Sequence, residues 1–556
     1  MNNEGFFVNP TDEQRHQLLF EALNRAGRTD DYENILELLS PPPDINQLSS
    51  PGVLKSVRVG IIGGGIAGLC AAYELRKAGA DITLFDADND RLGGRIFTYY
   101  FNKKNYGEFG AMRIPVSHET SWHYINLFNL NTESMSSPQS NNFIYAHDTR
   151  IRRDPEGQNV TGYLYPLYDL SEIEKSIPWP QLNDYANNTM LYGLTPDQRS
   201  EILKILPEYS DSYAAITKMS NREVYEYLGL SQGAINLISA VEPFAAVMLD
   251  VSHDETMNSN YTLDFLNTYR IIGGMINLPY AFYNCLFTDE MPDFKHPSFF
   301  LGNVNVKMGH TVKGIYSILP EQKVNLRYSN HKGQEFNETF DYVICTIPFS
   351  TLREVDIRPL FSNQKMQAIR ELNYIDAQKT LFLCSERFWE ENAEYGRMNG
   401  GISFTDLPVQ SIVYPSDHIR CKAQELCTYD IPGVLTASYN LGNDSHRVAN
   451  QNIISRFRLI KRNVAEVHGI PADYLSTIIQ SHKTVHWNTQ AWARGGFAVF
   501  NPGQKVNLSY AMQKPEYNDR VFFAGEHIST KQGWIQGALQ TGKAAANMIV
   551  RRKMQQ

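Results

Sequence analysis

Gly63-Gly64-Gly65-Ile66-Ala67-Gly68 fits the pattern G-x-G-x-x-G, whose chemistry is that of a phosphate cradle. Gly63 permits a tight turn, Gly65 lets backbone N–H groups approach a pyrophosphate, and Gly68 lets a helix pack closely on a strand. Ile66 and Ala67 open that helix, and its N-terminus adds partial positive charge for the phosphates. Asp86 stands 18 residues after Gly68, where a carboxylate can accept from adenosine ribose hydroxyls, and Ala87 follows it. Beyond lies Arg91-Leu92-Gly93-Gly94-Arg95. Two arginines among glycines suit a second approach to the pyrophosphate of a long, extended cofactor, which a nicotinamide enzyme does not need. Further on, Gly110-Ala111-Met112-Arg113-Ile114-Pro115 places an arginine just before a proline. Pro115 disfavours helix at the residue before it, so Arg113 is expected on an irregular loop, where its guanidinium could clamp a carboxylate through two parallel N–H···O bonds.

The elements that would carry these residues can be read from periodicity. Val57–Ile62 is a short apolar run of buried-strand type, Ala67–Ala78 reads as a helix, and Asp81–Asp86 as the next strand. A β-α-β unit of this kind predicts a parallel sheet. Residues 10–40 read as helical, capped by Thr11 or Asp12 and stopped by Pro41-Pro42-Pro43. Residues 165–245 read as a helical insertion containing Asp197–Ile205 and Asn221–Leu228. Strands are expected at Val312–Leu319, Lys323–Tyr328, Phe340–Thr346, Lys379–Cys384, Val434–Ser438 and Val521–Ala524. Helices are expected at Ile453–His468, with Ile454, Phe457, Ile460 and Val464 on one face, and at Gly537–Arg551.

Composition limits the function classes. The chain has 556 residues, 42% hydrophobic and 20% charged, so it is globular. At roughly 150 residues per domain it has room for three or four domains. With 51 Lys+Arg against 60 Asp+Glu, the net charge of −9 argues against nucleic-acid binding. The six cysteines form no CxxC pair and Cys421 and Cys427 have no nearby histidines, so no metal site and no disulfide is expected. The longest apolar stretch is too short and glycine-rich to span a bilayer. Met1-Asn2-Asn3-Glu4-Gly5 opens no basic-then-apolar leader, so a cytoplasmic location is expected.

The Arg91–Arg95 cluster resembles the FAD-binding cluster of the flavin-containing amine oxidase superfamily. Phe522-Phe523-Ala524-Gly525-Glu526-His527 resembles the family's second FAD segment, and Gly533-Trp534-Ile535-Gln536-Gly537-Ala538 the segment under the isoalloxazine. Within the superfamily, the Gly110–Pro115 run resembles L-amino acid oxidases of bacterial type, in which the arginine holds the substrate α-carboxylate. The resemblance implies a mixed α/β fold: a Rossmann-like FAD-binding domain (53–105, 296–370 and 500–556), an interleaved substrate-binding sheet domain (1–52, 106–160 and 371–499) and a largely helical domain (161–295). It implies FAD as cofactor, held by Gly63, Gly65, Ile66, Ala67, Gly68, Asp86, Ala87, Arg91, Gly94, Arg95, Gly110, Ala111, Met112, Arg113, Val312, Gly525, Glu526, Gly533, Trp534 and Ile535.

The same resemblance assigns substrate residues. Tyr414, in Ile412-Val413-Tyr414-Pro415, would share the carboxylate with Arg113. Lys379, in an apolar strand where a charge is costly, would hold a water near the flavin and assist reoxidation by O2. Trp534 and Phe497 would wall the amine side. The implied reaction is oxidative deamination of neutral or aromatic L-amino acids by hydride transfer to the flavin, giving a 2-oxo acid, ammonia and hydrogen peroxide. A homodimer or higher homo-oligomer is implied as well. An amino-acid 2-monooxygenase would use the same site, and a polyamine or monoamine oxidase would have no use for Arg113. A non-catalytic FAD-binding scaffold is the alternative from another class.

Overall fold

The computed structural model describes residues 9–135, 140–418 and 428–556. Cys421 and Cys427 lie outside them, and the other four cysteines are free thiols.

The motif-bearing unit forms as the sequence predicts, with ends shifted by a residue. Strand β1 (Arg58–Ile62) leads into helix α1 (Ile66–Lys77) and strand β2 (Asp81–Phe85). These strands sit inside a five-stranded parallel sheet with 304–307, 342–345 and 521–523, so β1 is buried on both faces. Val59 pairs with both Ile82 and Tyr342, and Ile344 pairs with Phe522. A strand 460 residues downstream thus joins the sheet that the motif begins, as a crossover fold requires. Every residue of α1 is buried. It lies against the closing helix, Ile535–Met554, and Lys77 pays for its burial by pairing with Glu74 at 3.0 Å and Asp293 at 2.5 Å.

The expected strand Phe340–Thr346 is two elements. Glu335–Phe340 ends an antiparallel ladder, and Tyr342–Cys345 enters the parallel sheet, because Asp341 caps β1 by accepting from the Arg58 N–H at 2.9 Å. The N-terminal helical stretch is also interrupted. Asp12–Arg25 and Tyr32–Leu39 are separate helices, since Gly27 adopts a left-handed φ of +67° and Arg28 turns inward to the carbonyls of Asn260 and Tyr261. Asp197–Ile205 is a short helix, Pro196–Ser200, followed by one 3-10 turn. In Ile453–His468 the bounds are as expected, but Ile454 is exposed while Ile460 and Val464 are buried.

A second, seven-stranded sheet frames the other side of the site. At one edge, strand β3 (Ala377–Cys384) lies between β4 (Gly433–Leu441) and β5 (Ile479–His486), antiparallel to both. All eight residues of β3 are buried, Lys379 among them. Helix α2 (Gly442–Ala449) follows β4 directly. The stretch from 160 to 261 is helical, with no strand among the described residues. No helix among the described residues is long and apolar enough to cross a membrane.

Candidate active site

Between the two sheets and the helical stretch runs a cavity of about 1320 Å³, larger than the ~300–1,000 Å³ of a drug-sized ligand site. Its wall gathers every site residue expected from the sequence except Gly68. Gly68 lies beneath the wall, where a Cβ would come within 2.0 Å of the Gly63 carbonyl. That is the close helix–strand packing its position predicts.

The dinucleotide end is built from backbone. Gly63 takes φ +108° to turn out of β1. No side chain caps α1 at Gly65, so the first-turn N–H groups face the cavity. A Cβ on Gly65 would meet only Gly94 Cα, at 4.0 Å. The space beside it is therefore open for a phosphate. Asp86 accepts from the Gly64 N–H at 2.7 Å and the Asp88 N–H at 2.8 Å. Burial pushes its carboxyl up to about 6 against those two hydrogen bonds, and its remaining lone pairs can take ribose hydroxyls. Arg91 donates to the carbonyls of Gly94 and Ile96 at 2.7 and 3.0 Å and lies over Phe97, so it shapes the glycine loop. Arg95 pairs with Glu526 at 2.6 Å, and Glu526 also accepts from the Gly533 N–H. This one contact ties together the two motif segments, 431 residues apart. Uncapped helix N–H groups, an open glycine cradle and a ribose-directed carboxylate fit FAD.

At the far end stands Arg113, on the irregular loop its proline predicted. Its guanidinium has no hydrogen bond and no ion pair among the described residues, and lies over the Phe265 ring at 5.6 Å. Burial lowers its pKa, and Tyr439 beside it opposes that shift. The Tyr439 hydroxyl, pushed up by burial and held back by Arg113, makes no hydrogen bond among the described residues either. Its ring contacts Phe244 at 4.9 Å and lies 4.5 Å from Lys379 Nζ. Lys379 donates to the Gly110 carbonyl at 2.8 Å, and burial pulls its pKa down to about 7.

Tyr414 borders the cavity as well. It is 1% exposed, and its hydroxyl is held by Ser403 at 2.8 Å and His468 at 3.0 Å. That hydroxyl is thus committed to the core of the sheet, and the tyrosine that electrostatically faces Arg113 is Tyr439. Phe497 and Trp534 both border the cavity; Trp534 meets Phe265 at 5.7 Å and His118 at 4.9 Å. Behind these rings Asp264 binds Lys531 at 2.5 Å, His118 at 3.0 Å and the Thr262 hydroxyl at 2.7 Å. Burial would raise the Asp264 carboxyl, but Lys531 and His118 hold it below the usual range. Sequence reasoning missed Tyr439, Phe244 and Phe265. Tyr439 alternates with buried residues along β4 and carries no signal apart from its partner's position.

A parallel nucleotide-binding sheet whose cradle opens into an aromatic chamber is the architecture of a flavin-dependent oxidoreductase. The model of the flavin containing amine oxidoreductase family matches residues 66–550, and the chain belongs to that family. FAD is its cofactor. It is 27% identical to an L-amino-acid oxidase of Bothrops atrox over 95% of this chain and 94% of that one. It is 29% identical to YobN of Bacillus subtilis over 91% and 100%. Among solved structures, putrescine oxidase matches with a TM-score of 0.67 at 17% identity, covering 89% and 99% of the chains. Cyclohexylamine oxidase from Brevibacterium oxydans IH-35A matches at 0.63 and 17%, covering 90% and 100%. The last two share the fold.

Proposed function

We propose that this enzyme oxidatively deaminates L-amino acids with neutral or aromatic side chains to 2-oxo acids and ammonia, with hydrogen peroxide as the second product. One observation carries the reading: a half-buried guanidinium, Arg113, borders the flavin cavity with no counter-ion among the described residues. A desolvated cation is costly unless a ligand completes it, and an α-carboxylate is the group that an amino acid has and a simple amine lacks. The family's L-amino-acid oxidase relatives support the same class.

In this reading Arg113 takes the carboxylate bidentately, and the Tyr439 hydroxyl donates a further hydrogen bond to it. Fixing that end aims the Cα–H at the reacting face, a positioning effect worth several kcal/mol in favourable cases. Trp534, Phe497 and Phe265 offer the substrate an aromatic surface along the cavity wall. Lys379, with a pKa near neutrality, holds a water and exchanges a proton beside the reaction. FAD, when bound, would supply the two-electron acceptor, with oxygen as the final oxidant. Asp86, Arg95 and Glu526, with the Gly63–Gly68 turn, hold it in place.

The test is anaerobic mixing of the purified holoenzyme with each of the twenty L-amino acids, following loss of the visible flavin absorbance, with products identified by mass spectrometry. Bleaching by neutral or aromatic L-amino acids and a 2-oxo acid product are expected. An amide product would assign a monooxygenase instead, and bleaching by amines alone would overturn the carboxylate reading.

A further inference from the structure

We propose that Asp376, His446 and His486 form a binding site for one zinc-class divalent cation at the end of the seven-stranded sheet. The three residues are up to 110 positions apart in sequence and meet because of strand order. In the antiparallel edge β5-β3-β4, the start of β3 lies beside the ends of its neighbours: Ala377 pairs with Leu441, and Gln378 with His486. Asp376 immediately precedes β3, His486 ends β5, and His446 stands on α2, the helix that continues from β4. The backbone locks the junction, since the Gly442 N–H donates to the Asp376 carbonyl at 2.9 Å.

The donor atoms already converge. Asp376 Oδ2 is 2.5 Å from His486 Nε2 and 3.2 Å from His446 Nδ1, and all three ligand atoms lie within 4.8 Å of one another. The other carboxylate oxygen is committed elsewhere. It accepts from the backbone N–H groups of Ala377 at 2.8 Å and Asn488 at 3.2 Å. That leaves Oδ2 aimed at the imidazoles, as an outer-shell contact orients a metal ligand. Tetrahedral zinc with bonds of ~2.0–2.2 Å places neighbouring donors roughly 3.3 Å apart. The carboxylate–His446 spacing meets that value, and the carboxylate–His486 spacing needs to open by less than an ångström.

The charge and access also suit a cation. No lysine or arginine pairs with Asp376 among the described residues. Two imidazoles and one carboxylate therefore present a nitrogen-rich set with no competing cationic side chain among the described residues. Such a set favours zinc, copper or nickel over magnesium and calcium, which take oxygen ligands. Asp376 and His486 are buried, at 3% and 8% exposure, while the His446 side chain is 47% exposed. The ion has an entry path there and an open position for water. With three protein ligands and that opening, binding is of moderate strength.

Occupancy would fasten two strand ends, at Asp376 and His486, to the helix that follows the third strand. Asp376 stands three residues before Lys379, and His486 directly precedes Trp487, whose indole N–H donates to the Phe109 carbonyl at 2.9 Å. The site thus acts on the rigidity of the cavity wall and takes no part in the redox chemistry.

The test uses untagged, full-length holoenzyme washed with a chelator and titrated calorimetrically with zinc chloride, with magnesium chloride as the comparison. One zinc per chain at micromolar concentration is expected, with no magnesium uptake in the same range. Zinc should also raise the melting temperature. His446→Ala, at a half-exposed position, should keep its flavin yet bind zinc at least tenfold more weakly and lose the thermal response. Asp376→Asn should behave likewise. No saturable zinc uptake, or uptake unchanged in both variants, would overturn the proposal. So would a wild-type protein that ignores zinc while His446→Ala lowers its melting temperature, because that pattern belongs to a hydrogen-bonded cluster alone.

Discussion

Replacing Arg113 by Met tests the site most directly, because the structure separates its effect on catalysis from its effect on folding. Among the described residues the guanidinium has no hydrogen bond or ion pair to lose, only its placement over the Phe265 ring. Burial already disfavours its charge, and Met fills similar volume without that cost. The melting temperature of the variant should therefore match or exceed the wild type. Catalysis should respond differently. Hydrogen bonds to charged groups contribute about 1.5–3 kcal/mol each. A bidentate grip on the α-carboxylate therefore contributes about 3–6 kcal/mol, which at ~1.4 kcal/mol per tenfold is a loss of about 10²–10⁴ in kcat/KM. The assay is steady-state peroxide release with a preferred L-amino acid, run beside the amine that lacks only the carboxylate. The amino acid should lose efficiency by that factor and the amine should not. An amino-acid efficiency within threefold of the wild type would refute the carboxylate assignment. Equal losses on both substrates would do so too, since they would reflect a disturbed cavity.

The two tyrosines should divide in the same way. Tyr439→Phe removes one hydrogen bond to the carboxylate and should lower kcat/KM about tenfold, at ~1–1.5 kcal/mol, with little change in stability. Tyr414→Phe strands Ser403 and His468 and should cost about 1–3 kcal/mol of stability in thermal unfolding, with KM unchanged. Gly65→Ala should fold normally but release FAD at least tenfold more readily in a flavin-retention assay, since its Cβ would point into the phosphate space. Gly68→Ala drives a Cβ to 2.0 Å from a carbonyl and should destabilise the fold itself, by about 1–3 kcal/mol. The Lys379 ammonium, pulled down to about 7 from 10.5 by burial, binds a proton less readily in the folded than in the unfolded chain. Stability therefore rises with pH between those two values and carries a penalty below about 7. The stability advantage of Lys379→Met over wild type should be largest at or below neutrality and shrink as pH climbs toward 10.5. A pH-independent difference would contradict the buried placement.

The cofactor end was legible in the sequence because its function is written in backbone requirements. Gly63 must turn, Gly65 must stay bare and Gly68 must let a helix approach, and each demand falls on a residue type at a fixed spacing. The pairing of Arg95 with Glu526 was implied only by their motifs, but it is the contact that makes the two segments one site. The substrate end was less legible. Tyr414 sits in a recognisable run, yet it stands one residue past the strand Ser411–Val413, where its hydroxyl meets His468. Tyr439, which faces Arg113, follows no motif. The broken helix at Gly27 and the split at Asp341 were missed for a related reason. A single residue there is committed to a distant partner that periodicity cannot reveal.

The buried cations show why a shifted pKa marks a functional site only in company with a cavity. Lys365 is pulled down to about 7 by burial, as Lys379 is. Its ammonium, however, donates to the carbonyls of Met512 and Lys514, lies 3.6 Å over the Phe523 ring and borders no part of the cavity. It fastens a turn. Lys531 is likewise buried, and it is satisfied by Asp264, Thr262 and Asn258. Most buried charges in this fold have their partners built in. Arg113 lacks a polar partner among the described residues, and Lys379 donates to the Gly110 and Glu108 carbonyls and the Met112 sulfur with no carboxylate paired to it among them. Both charges border the cavity without a counter-ion among the described residues, where a ligand can supply one. A packed core would not tolerate that arrangement, whereas a binding site depends on it.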